Sequence, residues 1–556
     1  MNKKKIIKIT ALSLAALLVC GCLIFMGMKG FFTDPGNFMA LARNKIMNFY
    51  HDITGTEPTV QEEFYPDENG NITLIDRPKG YKLALPGDVT VDHSISPELI
   101  RADREDMTIV ISREWAPYED PFYFIDNYLN NYYLNERYIE KNHIIIHENE
   151  VFDFKGAKAQ FVSLTREDGA PEHLNNYSYF YVLSKVGAQA FFRIMIKTDS
   201  YEGNIQEVRK IIDSFEETGV LGQNTFKTDY QLTVPDYWNE ETKALWKKIN
   251  QKDTFEWGIF IDEAYENEEA YQWLTEIEEK VDYEFDFSLH YVNLSGEFPK
   301  EELQKFYEEG KITELTLQIS NHANGDLFGD NPNFDVYDGK CDEIIRSFAR
   351  GAKEFGHPFL FRLNNEMNSD WVNYSGVAAL SDPDIFVANW RRIYEIFREE
   401  GVDNAIWIYN PNAEDCPPAH FNSYLAYYPG DEYVQMIGLT GYNTGTYYAE
   451  DYMEKWRTFE EIYQDPYDKY MERFGEFPFI ITEFACSSVG GDKAAWITDM
   501  FSAIKKYKNI KMALWWSNAD YDFRGEVPKL ARPYWLDETE ETVEAFKKGV
   551  AAYKKE

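Results

Sequence analysis

Residues 358–371 read Pro-Phe-Leu-Phe-Arg-Leu-Asn-Asn-Glu-Met-Asn-Ser-Asp-Trp. A short apolar run ends abruptly in two amides and a glutamate, the pattern of a buried strand that surfaces at one end. Seven further runs of this kind accompany it, at 255–262, 283–291, 312–320, 405–409, 433–442, 477–483 and 510–516. Amphipathic stretches with helical spacing separate them, clearest at 268–281, 342–355, 385–400, 456–474, 492–507 and 540–552. Strands alternating with helices form parallel βαβ units. Eight such units predict an α/β fold over 247–556, a (β/α)8 TIM barrel. An open doubly wound sheet would carry a glycine-rich phosphate turn after an early strand, and none follows 255–262.

The residues before the barrel follow another pattern. Within 59–220, β-rich runs at 81–85, 107–112, 143–147, 157–164, 178–183 and 190–197 are interrupted by helical stretches at 122–140 and 204–217. This order predicts an α+β domain, an antiparallel sheet with helices on one face. Residues 67–71, Asp-Glu-Asn-Gly-Asn, faintly resemble a calcium loop, but Asn-Gly between strands is more often a hairpin turn. Residues 31–58 read as a stalk and 221–246 as a connector.

At the N-terminus, Lys3, Lys4, Lys5 and Lys8 precede twenty residues, 9–28, that carry no charge. A positive flank and an apolar run make residues 1–30 a signal or a transmembrane anchor. Val19-Cys20-Gly21-Cys22 also resembles a lipobox with Cys22 as the acylated residue. The expected location is the extracellular face of the cell membrane, tethered through this segment, or the secreted fraction.

Composition narrows the partners. The 556 residues exceed one ordinary core and suit two folded units. Acids outnumber bases 95 to 56, for a net charge of −39. A field of that sign repels phosphates and uronates, which argues against a nucleic-acid binder and an anionic substrate and leaves neutral or cationic partners. Cys341, Cys416 and Cys486 are too few for a disulfide framework, and no CxxC or HExxH pattern offers a metal site. Neither a metal nor another cofactor is expected.

In a TIM barrel the active site lies at the C-terminal strand ends. Strand four ends at Glu366 and strand seven at Glu483. Two carboxylates facing each other across a barrel mouth are what retaining glycoside hydrolysis needs, one as acid/base and one as nucleophile. Neutral amides, among them Asn365, surround Glu366, whereas Arg362 and Tyr442 can hold Glu483 ionised. Trp371, Tyr442 and Trp516 offer flat faces to sugar rings. His290, at the end of strand two, is a further candidate contact, although a histidine there also suits a structural hydrogen bond.

The same residues resemble the glycoside hydrolase family 26, the β-mannanase family. The 358–371 segment is similar to its acid/base motif of Arg, three residues, Glu-Met-Asn and a following tryptophan. Trp407-Ile-Tyr-Asn-Pro-Asn412, Tyr428-Pro-Gly-Asp-Glu-Tyr433, Gly441-Tyr442-Asn443 and Pro478-Phe-Ile-Ile-Thr-Glu483-Phe resemble its strands five, six and seven. The resemblance implies Glu366 as acid/base, Glu483 as nucleophile and Tyr442 as its hydrogen-bond partner. It also implies Trp371 and Trp516 as sugar platforms and Arg362 as support for the nucleophile. Asn365 stands where the family usually has His, Thr440 where Asp is frequent and Ala485 where Gly is usual. Asn before the acid/base bonds the sugar 2-hydroxyl in the wider clan. That hydroxyl is axial in mannose and equatorial in glucose, so the swap bears on the choice of polymer.

The sequence thus predicts an exported, retaining endo-β-glycanase acting on neutral β-1,4-linked polysaccharide, β-mannan or β-glucan. Its tether would bring it alongside polysaccharide export machinery. The alternative is a catalytically inactive glycan-binding or scaffold protein at the cell surface, against which the presence of both glutamates counts.

Overall fold

The computed structural model describes residues 61–67, 70–95, 97–116, 120–167, 177–224, 227–251, 255–294, 296–320 and 326–553. The expected anchor, stalk and lipobox Cys22 lie outside them. Among the described residues no helix is long and apolar enough to cross a membrane.

Eight parallel strands close into a barrel. They are β1 Glu256–Ile261, β2 Phe287–Asn293, β3 Ile312–Gln318, β4 Phe359–Leu363, β5 Ala405–Tyr409, β6 Met436–Thr440, β7 Phe479–Phe484 and β8 Ile510–Ser517. Six residue pairs between β1 and β8 close the ring. Side chains alternate between its two faces as a pleated strand requires. Leu360, Ile406 and Ile408 fill the barrel interior, whereas Phe361, Trp407 and Tyr409 pack outward against the helices. Trp238 joins the interior core, and its indole N–H donates to the Ala405 carbonyl at 3.1 Å. It precedes helix Glu240–Ile249, so part of the stretch read as a connector folds onto the barrel.

The N-terminal domain is α+β. Its main sheet has seven antiparallel strands, in the order Thr90–Asp92, Ile100–Arg104, Met107–Trp115, Ala190–Thr198, Ser178–Val186, Ala157–Arg166 and Ile144–Phe154. A small sheet of Glu63–Pro66, Ile72–Asp76, Tyr81–Leu85 and Glu216–Glu217 packs with helix Tyr201–Ser214 on one face of it. The short helices between Pro121 and Lys141 pack on the other face. The helices therefore lie on both faces, not one. The reason is visible in strand Ser178–Val186, where Phe180 and Val182 join one core and Tyr179, Tyr181 and Leu183 the other. A strand apolar on both sides needs cover on both.

The second face also meets the barrel. Arg166 donates two hydrogen bonds, at 2.7 and 2.6 Å, to Asp338, and both side chains are buried. A bidentate guanidinium–carboxylate pair satisfies both charges when they leave water together.

Candidate active site

The barrel mouth opens into a cleft of about 1410 Å³ lined by Glu366, Trp371, Tyr442, Glu483 and Trp516, among others. Glu483 stands on β7, within the barrel wall. Its Oε1 accepts from Arg362 Nη1 at 2.8 Å and from the Tyr291 hydroxyl at 2.6 Å. Its Oε2 accepts from the Tyr442 hydroxyl at 2.7 Å. Every one of these bonds is of the kind an ionised carboxylate accepts. Burial and the Glu483 charge raise both tyrosines well above the usual phenol range, so they remain donors.

Arg362 is fully buried in β4. Nε donates to Thr316 Oγ1 at 2.7 Å, Nη1 also donates to Asn410 Oδ1 at 2.8 Å, and Nη2 donates to the Tyr291 hydroxyl at 3.2 Å. Strand register explains the cluster, since Tyr291, Thr316 and Arg362 are successive cross-strand neighbours on β2, β3 and β4. Burial works against the guanidinium charge, but Glu314, Tyr291 and Glu483 together hold its pKa above the ordinary value.

Glu366 follows β4 in a different setting. The chain leaves the strand through left-handed backbone at Asn364, φ 51°, and at Glu366, φ 56°. Such conformations cost energy in non-glycine residues and persist where the surroundings fix them. Here the Glu366 N–H donates to the Asn410 carbonyl at 2.9 Å, and Ile319 N–H donates to Asn364 Oδ1 at 2.8 Å. The Glu366 carboxyl accepts one hydrogen bond from Asn412 Nδ2, at 3.1 Å. Burial pushes it up to about 8, with the Glu483 charge adding to the rise; Arg362 and the Trp371 indole pull the other way. Two carboxyls of one cleft thus sit in different surroundings, Glu366 buried with its pKa raised and Glu483 gripped by three donors.

Asn365 is buried beside them, its Oδ1 accepting from Gln318 Nε2 and from the Tyr374 hydroxyl, both at 2.9 Å. With the oxygen occupied twice, the NH₂ is the end left to donate to a ligand. Trp516 stacks on Phe260, ring centroids 5.5 Å apart, and meets Tyr442 edge-on. Trp371 is 40% exposed, so its ring is open to a bound molecule.

The structure does not bring His290 into this set. It stacks on Tyr265 at 4.4 Å, and burial pushes its imidazole down to about 4. Alternation along β2 sends His290 toward the helices and Tyr291 toward Glu483. Gln318 and Tyr374 escaped the sequence reading, and Tyr291, Asn410 and Asn412, though they fall at strand ends, were given no role in it. Strand parity was the available signal for Tyr291, since it lies two residues after the inward Leu289. Among the described residues no group of His, Cys, Asp and Glu could hold a metal ion.

Residues 286–482, from the start of β2 into β7, match the model described as Glycosyl hydrolase family 26. Endoglucanase H of Acetivibrio thermocellus is 32% identical over 196 residues, which cover 34% of this chain and 21% of that protein. Mannan endo-1,4-beta-mannosidase of Bacillus subtilis is 25% identical over 171 residues, covering 27% of this chain and 45% of that protein. The chain thus spans less than half the length of these curated relatives. A solved GH26 beta-mannanase from Bacteroides ovatus is 18% identical, covering 57% of this chain and 94% of its own, with a TM-score of 0.42. The stretch from β2 into β7, which holds Arg362, Glu366 and Tyr442, is thus the part of this chain that matches glycosyl hydrolase family 26.

Proposed function

We propose that the chain is a retaining endo-β-glycanase for a neutral β-1,4-linked polysaccharide, a β-glucan ahead of a β-mannan. The observation that carries this reading is the asymmetry of the two carboxyls, Glu483 held by three donors and Glu366 with its pKa raised to about 8. Glu483 attacks the anomeric carbon while Glu366 gives its proton to the departing glycosidic oxygen. The C–O bond to the leaving sugar breaks as the bond to Glu483 forms. Esterification removes the Glu483 charge, which had helped to raise the Glu366 pKa, so Glu366 becomes the stronger acid and stays ionised. It then takes a proton from water, the water oxygen attacks the anomeric carbon, and Glu483 leaves as a carboxylate.

Two features support glucan over mannan. Asn365 replaces the histidine that the mannanase pattern carries, and the 32% identical relative bears the name endoglucanase, whereas the 25% identical one is a mannosidase. The net charge of −39 favours a neutral polymer. The lysine-flanked apolar run of residues 1–30 supports a location outside the cell, tethered or secreted, where such a polymer is met. Protease treatment of intact cells should then cleave the barrel, and complete protection would overturn that location.

Reducing-sugar release by the full-length chain from mixed-linkage glucan, carboxymethylcellulose, glucomannan, mannan and xylan tests the activity, with Glu483→Gln alongside. Release from a glucan that disappears in the variant is the expected result. Folded protein that releases nothing from any polymer would leave the glycan-binding reading in its place.

A further inference from the structure

The N-terminal domain grips the segment that carries the acid/base. Residues 372–382, downstream of Glu366, are buried throughout, covered by the barrel and the N-terminal sheet. The Tyr138 hydroxyl donates to the Ala378 carbonyl and the Tyr181 hydroxyl to the Leu380 carbonyl, both at 2.6 Å. Arg193 Nη2 donates to the Ser381 carbonyl at 2.5 Å, and Lys197 pairs with Asp382 at 3.0 Å. Leu380 and Ser381 are consecutive non-glycine residues in left-handed backbone, φ 58° and 54°. That conformation is unfavourable on its own and needs surroundings that determine it. The two carbonyls so placed are the ones that Tyr181 and Arg193 bind.

A second loop is held in the same way. Glu114, in the N-terminal sheet, accepts from the backbone N–H groups of His420 and Phe421, at 2.6 and 3.1 Å. The neighbouring Asn422 donates to the Asn368 carbonyl, two residues beyond Glu366. Both loops flanking the acid/base are therefore tied to the other domain.

That domain also reaches the cleft itself. Tyr128 lines the same cavity as Glu366, Asp370 and Trp371. It lies on a single π-helical turn, Asp126–Asn130, a feature that recurs at functional sites. One turn further on, the Tyr132 hydroxyl approaches the Asp370 carbonyl at 3.5 Å, next to Trp371 in the chain.

We propose that the N-terminal domain completes the substrate site: Tyr181 and Arg193 are positioning residues for the acid/base loop, and Tyr128 is a platform for a sugar unit beside Trp371. This rests on the glycanase reading above. The sugar in question belongs to the same neutral polymer, on the Glu366 side of the scissile bond, where the leaving chain departs.

Two measurements on the full-length chain test it. In the hydrolytically inert Glu483→Gln background, calorimetry with β-1,4-glucohexaose should show Tyr128→Ala weakening binding by about fivefold to tenfold. Unchanged affinity, or no hexaose binding before the change, would overturn the platform whether or not the wild type hydrolyses polymer. Tyr181→Phe removes a single hydroxyl. It should lower kcat on the glucan at least tenfold, but lower turnover of a 2,4-dinitrophenyl β-glycoside less than threefold, because that leaving group needs no proton from Glu366. Equal losses on both substrates would mean a merely structural role, and no loss on either would mean none. Wild type active on the dinitrophenyl glycoside but on no polymer would sink the endo-glycanase reading and the platform with it.

Discussion

Arg362 lies between two carboxyls: its Nη1 is 2.8 Å from Glu483 and its Nε 3.1 Å from Glu314, which is completely buried on β3. Neither Glu314 oxygen accepts a hydrogen bond. Burial raises its pKa to about 8, against the pull of Arg362 and with the Glu483 charge adding to the rise. At neutral pH Glu314 is therefore largely protonated, and the Arg362 charge serves Glu483.

This arrangement fixes a pH dependence of stability. A carboxyl whose pKa is raised by folding binds more protons in the native state, so its stabilising contribution is complete below the unfolded value, near 4.5, and is lost as pH climbs through about 8. Glu314→Gln keeps the shape without the titration. Melting temperatures should be nearest to wild type at about pH 4.5, and the variant should gain on wild type as pH rises to about 8 and stay above it at about pH 9. A constant difference between the two proteins at every pH would contradict this account.

Activity should show its own alkaline limb. In the proposed mechanism Glu366 carries a proton into the first step, and its carboxyl is raised to about 8 by burial and by Glu483. On this basis kcat/KM on the polymer falls above roughly that pH, as the acid form is depleted. Glu366→Ala should lower turnover of the polymer by ~10²–10⁴, a typical general acid/base contribution. A dinitrophenyl glycoside, with no need of the acid, should retain most of its glycosylation rate. An alkaline limb that persists in the alanine variant would place the titrating group elsewhere.

Asn365 depends on two donors, Gln318 and Tyr374, for its orientation. Tyr374→Phe removes one of them at a fully buried site. A loss of about 1 kcal/mol, or roughly fivefold in kcat/KM, is expected with little change in melting temperature. A 2-deoxy substrate, lacking the hydroxyl that Asn365 would bind, should be turned over equally by variant and wild type. If the variant discriminates between the substrates as wild type does, Asn365 is not oriented through Tyr374.

The domain interface can be probed at Arg166 and Asp338. Arg166→Met takes both hydrogen bonds from the buried Asp338 and leaves it only the half-exposed Lys340, 3.6 Å away. Breaking a buried pair typically costs ~3–5 kcal/mol, and the Lys340 contact puts the expected loss at the lower end. Replacing both, Arg166→Met with Asp338→Leu, should recover most of that loss in urea titrations. A double variant no more stable than the single one would show that the pair is not what these two residues contribute.

The barrel was legible because each strand is an apolar run ended by polar residues and followed by a helical period; β5 coincides with the predicted 405–409. Of the candidate site, the sequence singled out residues at strand ends, and the structure brings Glu366, Glu483 and Tyr442 together in one cleft. Glu314 sits inside the run Ile-Thr-Glu-Leu-Thr-Leu-Gln, where a carboxylate looks like an interruption, and only the closed barrel places it beside Arg362. His290 and Tyr291 differ by one position, and one position reverses the face of a strand. In the N-terminal domain Glu63–Pro66, Thr90–Asp92 and Ile100–Arg104 went unseen. They are short and largely polar, the last with Arg101 and Asp103 between its inward residues, as strands near sheet edges often are. The helix expected over 122–140 is broken by the π turn at Asp126–Asn130, whose backbone no periodicity announces.

Product stereochemistry tests the central claim most directly. Proton NMR during the first minutes of glucan hydrolysis, before the released sugar mutarotates, reports the anomer that leaves the enzyme. Attack by Glu483, followed by attack of water from the opposite face that the leaving sugar has vacated, predicts that the β-anomer appears first and the α-anomer grows in later. An α-anomer at the earliest time would mean direct displacement by water, and would contradict the nucleophile role of Glu483.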